Sequence, residues 1–230
     1  GNEGAPVRAV FESGAGCDDI HLVDSGSADR TQEVAAEMGA TVHVNPFKSF
    51  GQQRNWAIDN IPVKHRWQFQ LDADERFTPA LVREMARRID GDASVDGACA
   101  YQCPSMMMFM DRWLTHACDY PVFQVRLIDR ERCRFEDHGH GQREVPDGPV
   151  GVLELPYMHY NFSKGLEEWF EKHNRYSSLE ARQALAQPRL TVRGAFGGLL
   201  SRDPLIRRRT LKAVGNRVPL RATLFTFYTM

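Results

Sequence analysis

The amino-acid sequence predicts an α/β fold in which helices flank a mostly parallel sheet. Short apolar or alternating runs predict strands, and a helical pattern follows each of them. This order of strand and helix is typical of parallel sheets with helices on their faces. The alternating segments are 20–23, 29–38, 41–44, 51–60, 66–71 and 78–89.

The first strand and helix have clear signals at their ends. The apolar run 20–23 leads into Asp24 and a turn of small residues. Asp29 is a suitable N-cap for the helix, Gln32 follows three residues later, and Gly39 ends it. A strand–turn–helix unit is therefore predicted.

The third strand leads directly into an acidic motif. Trp67, Phe69 and Leu71 alternate with polar residues, and Asp72 follows at once. Asp24 ends the first strand in the same way. Because ligands bind beyond the carboxyl ends of strands in such sheets, these two carboxylates are predicted to converge on one cleft.

The second half of the chain is less regular. We predict two strands, a loop rich in Gly, Pro, His and acids, and a long amphipathic helix, at 98–103, 122–128, 134–150 and 164–187. This organisation predicts a catalytic α/β domain over residues 1–163. A basic helical segment is expected over residues 164–230.

The composition excludes several classes of protein. The 230 residues carry a formal net charge of -1, with 42% apolar and 26% charged residues, as in ordinary globular proteins. No nucleic-acid partner is expected from this balance. The five cysteines form no C-x-x-C pair, which favours a reducing, cytoplasmic environment. Without a Walker loop or a G-x-G-x-x-G motif, ATP hydrolysis and dinucleotide chemistry have little support.

Asp72 and Asp74 are the first candidate site residues. Two carboxylates one residue apart at a strand end can point into one space, and such oxygen ligands suit Mg²⁺ or Mn²⁺. The alternative is a solvated acidic turn, because a bare D-x-D motif often occurs by chance. His159 follows an apolar segment and is more often a core residue. It becomes a third metal ligand if the chain folds back beside Asp74.

A second group of candidates follows the first strand and begins the second helix. Asp24 can accept a hydrogen bond from a base or ribose, and its small neighbours let a ligand approach the backbone. The alternative is that Ser27 and Asp29 cap the helix, which explains these two residues but not Asp24. Arg54 can approach a nucleotide or a diphosphate, although a lone arginine on a helix is more often solvated.

The acidic, histidine-rich stretch 136–144 supplies candidates for a base that takes a proton from a hydroxyl nucleophile. The competing carboxylates are Glu136, Asp137 and Glu144. His138 and His140 are alternatively half of a zinc site, but no further ligands follow at a suitable spacing.

Together these motifs resemble family 2 glycosyltransferases with the GT-A fold, which are inverting enzymes that use nucleotide-diphosphate sugars. The similarity is strongest to the branch that builds lipopolysaccharide core and exopolysaccharide. The resembling segments are 2–3, 23–31, 51–57, 71–76, 159–163 and 173–177. Each motif is weak alone, but their order and spacing make the set specific over most of the chain.

The resemblance implies roles for the matched residues. The donor would be bound by residues of three motifs, namely Asp24, Ser25, Ser27, Gln53, Arg54 and Asp72. Asp74 would be the principal ligand of Mg²⁺ or Mn²⁺, joined by Asp72 and His159. The implied donor is a nucleotide-diphosphate sugar, by default UDP-glucose. The implied acceptor is a lipid-linked sugar, lipopolysaccharide or polysaccharide.

Glu144 would be the catalytic base by this resemblance. The related branch commonly has a His-Glu pair at this position, whereas here Arg143 precedes Glu144. Asp137 is therefore kept as the alternative base.

The two ends of the chain raise separate expectations. In the resembling family Asn2-Glu3 follows the first, central strand of the sheet, so we expect that the chain lacks this strand and that its C-terminal end is also incomplete. The stretch 202–221 is basic and amphipathic, and Asp203 is its one acid. Such a stretch can lie on anionic lipid, so peripheral attachment to the cytoplasmic face of the inner membrane is expected. The alternative is an ordinary solvated helix.

Two other functions remain open. A metal-dependent nucleotidyltransferase or phosphohydrolase would also use Asp72 and Asp74. An inactive binding module would fit if the beginning of the chain is native.

Overall fold

The computed structural model describes residues 4–91, 93–116, 120–138 and 141–186, together with Gly197, Leu200 and Thr210. The chain divides into two compact units, residues 1–180 and 181–230. The described helices are α1 (Gly4–Ser13), α2 (Thr31–Glu37), α3 (Phe50–Asn60), α4 (Pro79–Arg88) and α5 (Leu166–Ala186). The described strands are β1 (His21–Asp24), β2 (Thr41–Val44), β3 (Trp67–Phe69), β4 (Glu75–Arg76), β5 (Ile89–Asp90), β6 (Ala93–Ser94), β7 (Ala100–Phe109), β8 (Arg112–Trp113), β9 (Val122–Asp129), β10 (Cys133–His138), β11 (Gly141–Pro146), β12 (Val150–Val152) and β13 (Tyr157–His159).

The α/β fold class and the alternation of strands and helices up to α4 are confirmed. The elements β1, α2, β2, α3, β3 and α4 fall on the six predicted segments. Side-chain caps fix two of the helix starts. The Ser49 hydroxyl accepts the backbone N–H of Gln52, and the Thr78 hydroxyl accepts that of Leu81. The helix after the first strand begins one residue later than predicted, and Asp29 accepts the N–H of Thr31 instead of serving as its N-cap.

The largest sheet is mixed and has β7 near its centre. Its strand order is β3-β9-β7-β13-β4, and β8 and β12 also pair with β7. β12 and β13 run parallel to β7, whereas β9 runs antiparallel to it. At the edge, β4 pairs with β13 so that Glu75 lies opposite His159. This pairing brings the acidic motif beside a histidine more than eighty residues later in the chain.

β1 and β2 form a second, two-stranded parallel sheet among the described residues. α1 packs against this part of the fold through Val7 and Phe11, which join Val34 and Ala35 of α2 in one apolar cluster. The patterns described above did not predict α1, although the spacing of Val7 and Phe11 by four residues is the helical signal that would have indicated it.

The predicted loop at 134–150 is wrong. β10 and β11 form an antiparallel hairpin here, with Phe135 opposite Glu144. Cys133 and Phe135 point into an apolar cluster with Ile58, and both are at least 96% buried. Because these two apolar residues are the inward side of β10 and its other residues are polar, the alternation was too short to distinguish from a polar loop.

The remaining core lies between α4 and the large sheet. Leu81, Tyr101, Leu153 and Tyr157 are fully buried in one cluster. In the part of the chain that is described, no helix is both long enough and apolar enough to cross a membrane.

Candidate active site

The acidic motif forms a tight turn that connects β3 to β4. The backbone N–H of Glu75 donates to the carbonyl of Asp72 at 2.9 Å, and the Asp72 N–H donates to the Glu75 carboxylate at 2.9 Å. These reciprocal bonds fix the backbone of the turn. The side chains of Asp72 and Asp74 are consequently held in defined positions.

Asp72 is bound by two arginines. Its Oδ1 accepts a hydrogen bond from Arg54 Nη2 at 2.9 Å, and its Oδ2 lies 3.3 Å from Arg126 Nη2. The Asp72 side chain is 49% exposed, and although its partial desolvation favours the neutral form, the charges of Arg126 and Arg54 outweigh this and lower its pKa. Asp72 is therefore an anion that links two cations.

Arg126 is a central residue of the site that the sequence patterns did not identify. Its guanidinium pairs with Glu75 as well as with Asp72, and it lies 5.3 Å from the centroid of the Tyr157 ring. Burial disfavours its charge, but Asp72 and Glu75 raise its pKa. Its Nε is buried and has no hydrogen-bond partner among the described residues. Arg126 lies on the side of the predicted strand 122–128 opposite to Phe123, Val125 and Leu127, so the apolar alternation gave no signal for it.

Glu75 is the most deeply buried charged group of the site. Its exposed fraction is 0%, and burial followed by the nearby Asp72 charge raises its pKa to about 7. Glu75 belongs to the segment 71–76 that resembles the family, but no role was predicted for it from the sequence. Its contacts with Arg126 and with the backbone of Asp72 make it a structural support of the turn.

Asp74 lies beside His159. Asp74 Oδ2 and His159 Nε2 are 3.5 Å apart, and the Tyr160 N–H donates to the Asp74 carbonyl at 2.7 Å. Burial lowers the pKa of His159, but the hydrogen bond and charge of Asp74 reverse this, so the net direction is upward. The condition for His159 to be a candidate ligand, that the chain folds back beside Asp74, is therefore met.

The donor set fits part of a metal site. Among the described residues no cluster of three or more His, Cys, Asp or Glu side chains is arranged around a metal position. Asp74 and His159 nevertheless offer one oxygen and one nitrogen side by side, while both oxygens of Asp72 face arginines. Mg²⁺ is often held by only one or two carboxylates plus waters and substrate phosphates. Asp74 and His159 thus fit a site that a diphosphate would complete.

Asp24 stabilises the turn after β1. Its carboxylate accepts hydrogen bonds from the N–H groups of Gly26 and Ser27, the Ser27 hydroxyl and the Gln32 amide, at 2.6–2.8 Å. Burial opposes ionisation of Asp24, but these bonds, those from Ser27 foremost, lower its pKa. Contact with a nucleobase stays a prediction for this residue, whose oxygens are already well occupied.

α3 connects the two strand ends. Gln53 Nε2 donates to the Ser25 hydroxyl at 3.3 Å, and the next residue, Arg54, reaches Asp72. Arg54 also donates to Gln70 at 2.7 Å and to Gln142 at 2.8 Å. α3 thus joins the ends of β1 and β3, because Gln53 contacts Ser25 after β1 and Arg54 contacts Asp72 after β3.

The two candidate bases differ in their surroundings. Asp137 accepts hydrogen bonds from the Ser49 hydroxyl at 2.8 Å and the Gly51 N–H at 3.1 Å, and the Ser49 bond is the main reason why its pKa is lowered. Asp137 thus helps to cap α3. Glu144 lies on β11, two residues from Gln142, and its charge acts on Arg54. His138 and His140 were the alternative half of a zinc site. His138 Nε2 lies 3.0 Å from Arg143 Nη2, and His140 lies outside the described residues.

A cavity of about 190 Å³ opens beside Asp74. It is lined by the acidic turn, the segment after β13 and one face of α5, through Ala73, Asp74, Asn161, Ser163, Lys164, Gly165, Glu168, Trp169 and Lys172. The carboxylate proposed for metal binding therefore faces a space large enough for part of a ligand.

Residues 2–136 match the family model described as "Glycosyl transferase family 2", which is more than half of the 230-residue chain. The chain belongs to glycosyl transferase family 2. This confirms the family indicated by the sequence motifs, and the matched region includes both strand ends, α3 and the acidic turn.

This glycosyltransferase is similar to curated proteins and to solved structures. The lipopolysaccharide core biosynthesis glycosyltransferase LpsC of Rhizobium meliloti (strain 1021) is 25% identical over 196 residues, 79% of this chain and 68% of LpsC. An uncharacterized glycosyltransferase of Rickettsia bellii (strain RML369-C) is 31% identical over 108 residues, which are 46% of this chain and 36% of the relative. Among solved structures, glucosyl-3-phosphoglycerate synthase from Mycobacterium tuberculosis matches 77% of this chain and 75% of its own, with 16% identity and a TM-score of 0.48.

The charged residues at the acidic turn of this glycosyltransferase form two groups, the arginines and the candidate metal ligands. Arg54 and Arg126 place positive charge at the turn, and Asp74 with His159 offers metal-binding atoms at the same turn. Such a combination suits a leaving group that carries several negative charges.

Proposed function

We propose that this glycosyltransferase moves a sugar from a nucleotide-diphosphate donor to an acceptor hydroxyl with inversion, in a metal-dependent reaction. The observation that carries the proposal is the convergence on one turn of Asp74 and His159 with two arginines that face Asp72. A departing diphosphate needs positive charge around it, and this turn gathers the groups that supply or bind such charge.

Asp74 and His159 are the proposed ligands of Mg²⁺ or Mn²⁺, and Asp72 is a third ligand if its arginine contacts rearrange. When bound, the cation neutralises charge on the diphosphate as the bond to the sugar breaks. Arg54 donates to Gln142, Gln70 and Asp72, so binding to the same phosphate oxygens would replace one of these hydrogen bonds.

The nucleoside is proposed to lie across the end of β1 and the start of α3. Ser25, Ser27 and Gln53 offer hydroxyl and amide groups there, and the Gln53–Ser25 bond joins the two elements. UDP is the proposed nucleotide and glucose the proposed sugar, both by resemblance to the family.

A carboxylate is proposed to take the proton of the acceptor hydroxyl as that oxygen attacks the anomeric carbon. The new carbon–oxygen bond forms on the face opposite to the diphosphate, and the electron pair of the breaking bond leaves with the diphosphate. Glu144 is the first candidate, because Asp137 already serves the start of α3. Asp137 is retained as the second.

The proposed acceptor is a lipid-linked sugar or lipopolysaccharide, and LpsC, named for lipopolysaccharide core biosynthesis, supports this branch. Acceptors of this kind lie at a membrane, so we propose that the enzyme acts at the cytoplasmic face of the inner membrane through its basic C-terminal stretch.

A donor screen scored by nucleoside diphosphate release tests the proposal. We expect release of intact UDP or GDP that requires Mg²⁺ or Mn²⁺ and is abolished by Asp74→Ala with the fold retained. Asp90→Ala, an exposed acid on β5, is the matched control and should leave activity unchanged. Release of sugar phosphate would instead indicate a nucleotidyltransferase or phosphohydrolase. Absence of any donor-dependent thermal stabilisation would indicate an inactive binding module.

A further inference from the structure

We infer that the cavity beside Asp74 is an acceptor subsite that binds an acidic group, a carboxylate or a phosphate, on the acceptor sugar. The inference deepens the proposed function and depends on it, because only a transferase needs an acceptor at this position. It concerns the chemical class of the acceptor, which neither the family nor the relatives determine.

One face of α5 forms a wall of this cavity. Glu168, Trp169 and Lys172 of α5 lie within one turn of each other on the helix, and Gly165 lines the cavity just before α5 begins. Asp74 lines the cavity from the acidic turn. A group bound here would therefore lie next to the proposed metal ligand, where the acceptor must meet the donor sugar.

The negative charges that line the cavity already have partners. Glu168 lies 3.7 Å from Lys164, and Asp74 lies 3.5 Å from His159. Lys172 makes no ion pair within the described part of the chain, and its ammonium group lies 5.8 Å from the centroid of the Tyr176 ring. The charge left over in the cavity is therefore that of Lys172, which is positive.

Trp169 adds a second hydrogen-bond donor without an acceptor. Its indole Nε1 is buried and has no partner in the described part of the chain. The ring is held by Phe162, whose centroid is 5.3 Å away, and by His173 at 4.0 Å. An unpaired buried donor costs about 1–3 kcal/mol, and a ligand oxygen would recover this energy through a small turn of the ring that brings the N–H to the cavity wall.

The unsatisfied groups of the cavity are thus both donors, an ammonium and an indole N–H. An anionic oxygen satisfies both, whereas a neutral hydroxyl does not compensate the ammonium charge. The volume of about 190 Å³ is below the roughly 300–1,000 Å³ of sites for drug-sized ligands, so a single sugar residue with its acidic group is the expected occupant.

Two sources can supply an anion at this position, the acceptor and the diphosphate of the donor. We assign the acceptor, because Arg54 and Arg126 already provide the positive charge at the donor side of the turn. The two sources predict different behaviour when Lys172 is replaced, which makes the assignment testable.

The test follows the indole N–H resonance of Trp169 in the full ¹⁵N-labelled protein, assigned by its loss in Trp169→Phe. Glucuronate and glucose 6-phosphate should shift this resonance at neutral pH, and glucose should not. Lys172→Met should weaken binding of both acidic sugars about ten-fold, as expected for one charge-assisted hydrogen bond. Lys172→Arg should retain most of the binding. Arg83→Met, which removes an exposed cation on α4, should have no effect.

Three results would overturn the inference. Equal shifts with glucose would show that the acidic group is not recognised. An equal loss of UDP binding in Lys172→Met would assign Lys172 to the donor diphosphate. Absence of binding by either acidic sugar, in a protein that still releases UDP, would refute the subsite and leave the proposed function intact. Conversely, acidic sugar binding without donor turnover would refute the proposed function, and the cavity would then be an anion-binding site but not an acceptor subsite.

Discussion

Asp72 and Asp74 are separated by one residue but have different surroundings. Asp72 faces Arg54 and Arg126, whereas Asp74 faces His159 and the cavity. The difference follows from the residues that pack around the turn, because α3 and β9 supply the arginines and β13 supplies the histidine. The sequence motif suggests two equivalent metal ligands. In the structure Asp72 instead pairs with arginines, and Asp74 is the candidate metal ligand.

Arg126 should be essential for stability as well as for the site. Arg126→Met leaves Glu75 buried without its partner, and the loss of one member of a buried pair costs about 3–5 kcal/mol. Chemical denaturation should therefore show a loss of about 3 kcal/mol in the free energy of unfolding. Arg134→Met, at a half-exposed arginine, should change it by less than about 0.5 kcal/mol.

The double variant Arg126→Met with Glu75→Gln separates the two contributions. Removing the stranded charge of Glu75 should recover part of the lost stability, because the two residues act as one unit. Strictly additive losses would contradict the assignment of Glu75 as the buried partner of Arg126.

Asp24 makes stability depend on pH at the β1–α2 turn. Because its pKa in the folded protein is lowered from 3.8, the ionised carboxylate stabilises the fold above that value. This contribution is lost as the pH falls through the folded pKa. Asp24→Asn should therefore be less stable than the wild type at neutral pH, and the difference should shrink as the pH falls below about 4.

Thermal unfolding of the wild type, Asp24→Asn and the control Asp90→Asn over this pH range measures the effect. A difference between wild type and Asp24→Asn that does not depend on pH would show that the charge of Asp24 is not what stabilises the turn.

At the scale of elements, α3 determines whether the site is assembled. It carries Gln53 and Arg54 towards the ends of β1 and β3, and its N-terminal end is held by Asp137 of β10. The hairpin β10–β11 therefore supports the helix from one side. Movement of either element would displace Arg54 from Asp72.

Gly51 is the contact point between α3 and this hairpin. A Cβ at this position would lie 2.8 Å from Asp137 Oδ1 and 3.0 Å from the backbone carbon of Glu136. Gly51→Ala should therefore separate the two elements and lower the free energy of unfolding by about 1–3 kcal/mol. It should also weaken UDP binding, because Arg54 follows in the same helix.

Gly14→Ala is the matched control for this experiment. A Cβ at Gly14 would meet its nearest atoms at 3.6–3.8 Å, which is ordinary van der Waals contact. Isothermal titration with UDP and denaturant unfolding should show weaker binding and lower stability for Gly51→Ala than for Gly14→Ala. Equal behaviour of the two would mean that close packing at Gly51 does not hold α3.

At the scale of the whole molecule, the membrane hypothesis depends on residues 202–221, of which only Thr210 belongs to the described residues. The stretch concentrates basic residues, namely Arg202, Arg207, Arg208, Arg209, Lys212, Arg217 and Arg221. A chain with a net charge of -1 overall thus carries its positive charge unevenly. Such a distribution favours binding to an anionic surface by one end of the chain.

Replacement of Arg207, Arg208 and Arg209 by glutamine should weaken binding to vesicles that contain anionic lipid. At about 1 kcal/mol for each charge at low salt, the expected loss in affinity is about a hundred-fold. Co-sedimentation with the vesicles measures it, and the control replaces Arg83 and Arg87, which are exposed on α4. Binding that is insensitive to salt and to lipid charge would contradict the hypothesis.

Much of the fold and of the candidate site was predictable from local patterns. The strands before Asp24 and Asp72 and the helices that follow were found from apolar periodicity and capping residues. These signals depend on neighbours in the chain, so they are visible in a single sequence. The hairpin β10–β11 was missed because its inward side comprises only Cys133 and Phe135, a pattern too short to stand out among polar residues.

The sequence by itself determined that this chain is a family 2 glycosyltransferase with an acidic motif at a strand end, because order and spacing of motifs are properties of the chain. Only the folded arrangement shows that Arg126 and Glu75 support the motif, that His159 lies beside Asp74, and that Lys172 of α5 lines a cavity next to Asp74. These relations join residues from distant parts of the chain. Burial and charge pairing select them in three dimensions, and no local pattern records that selection.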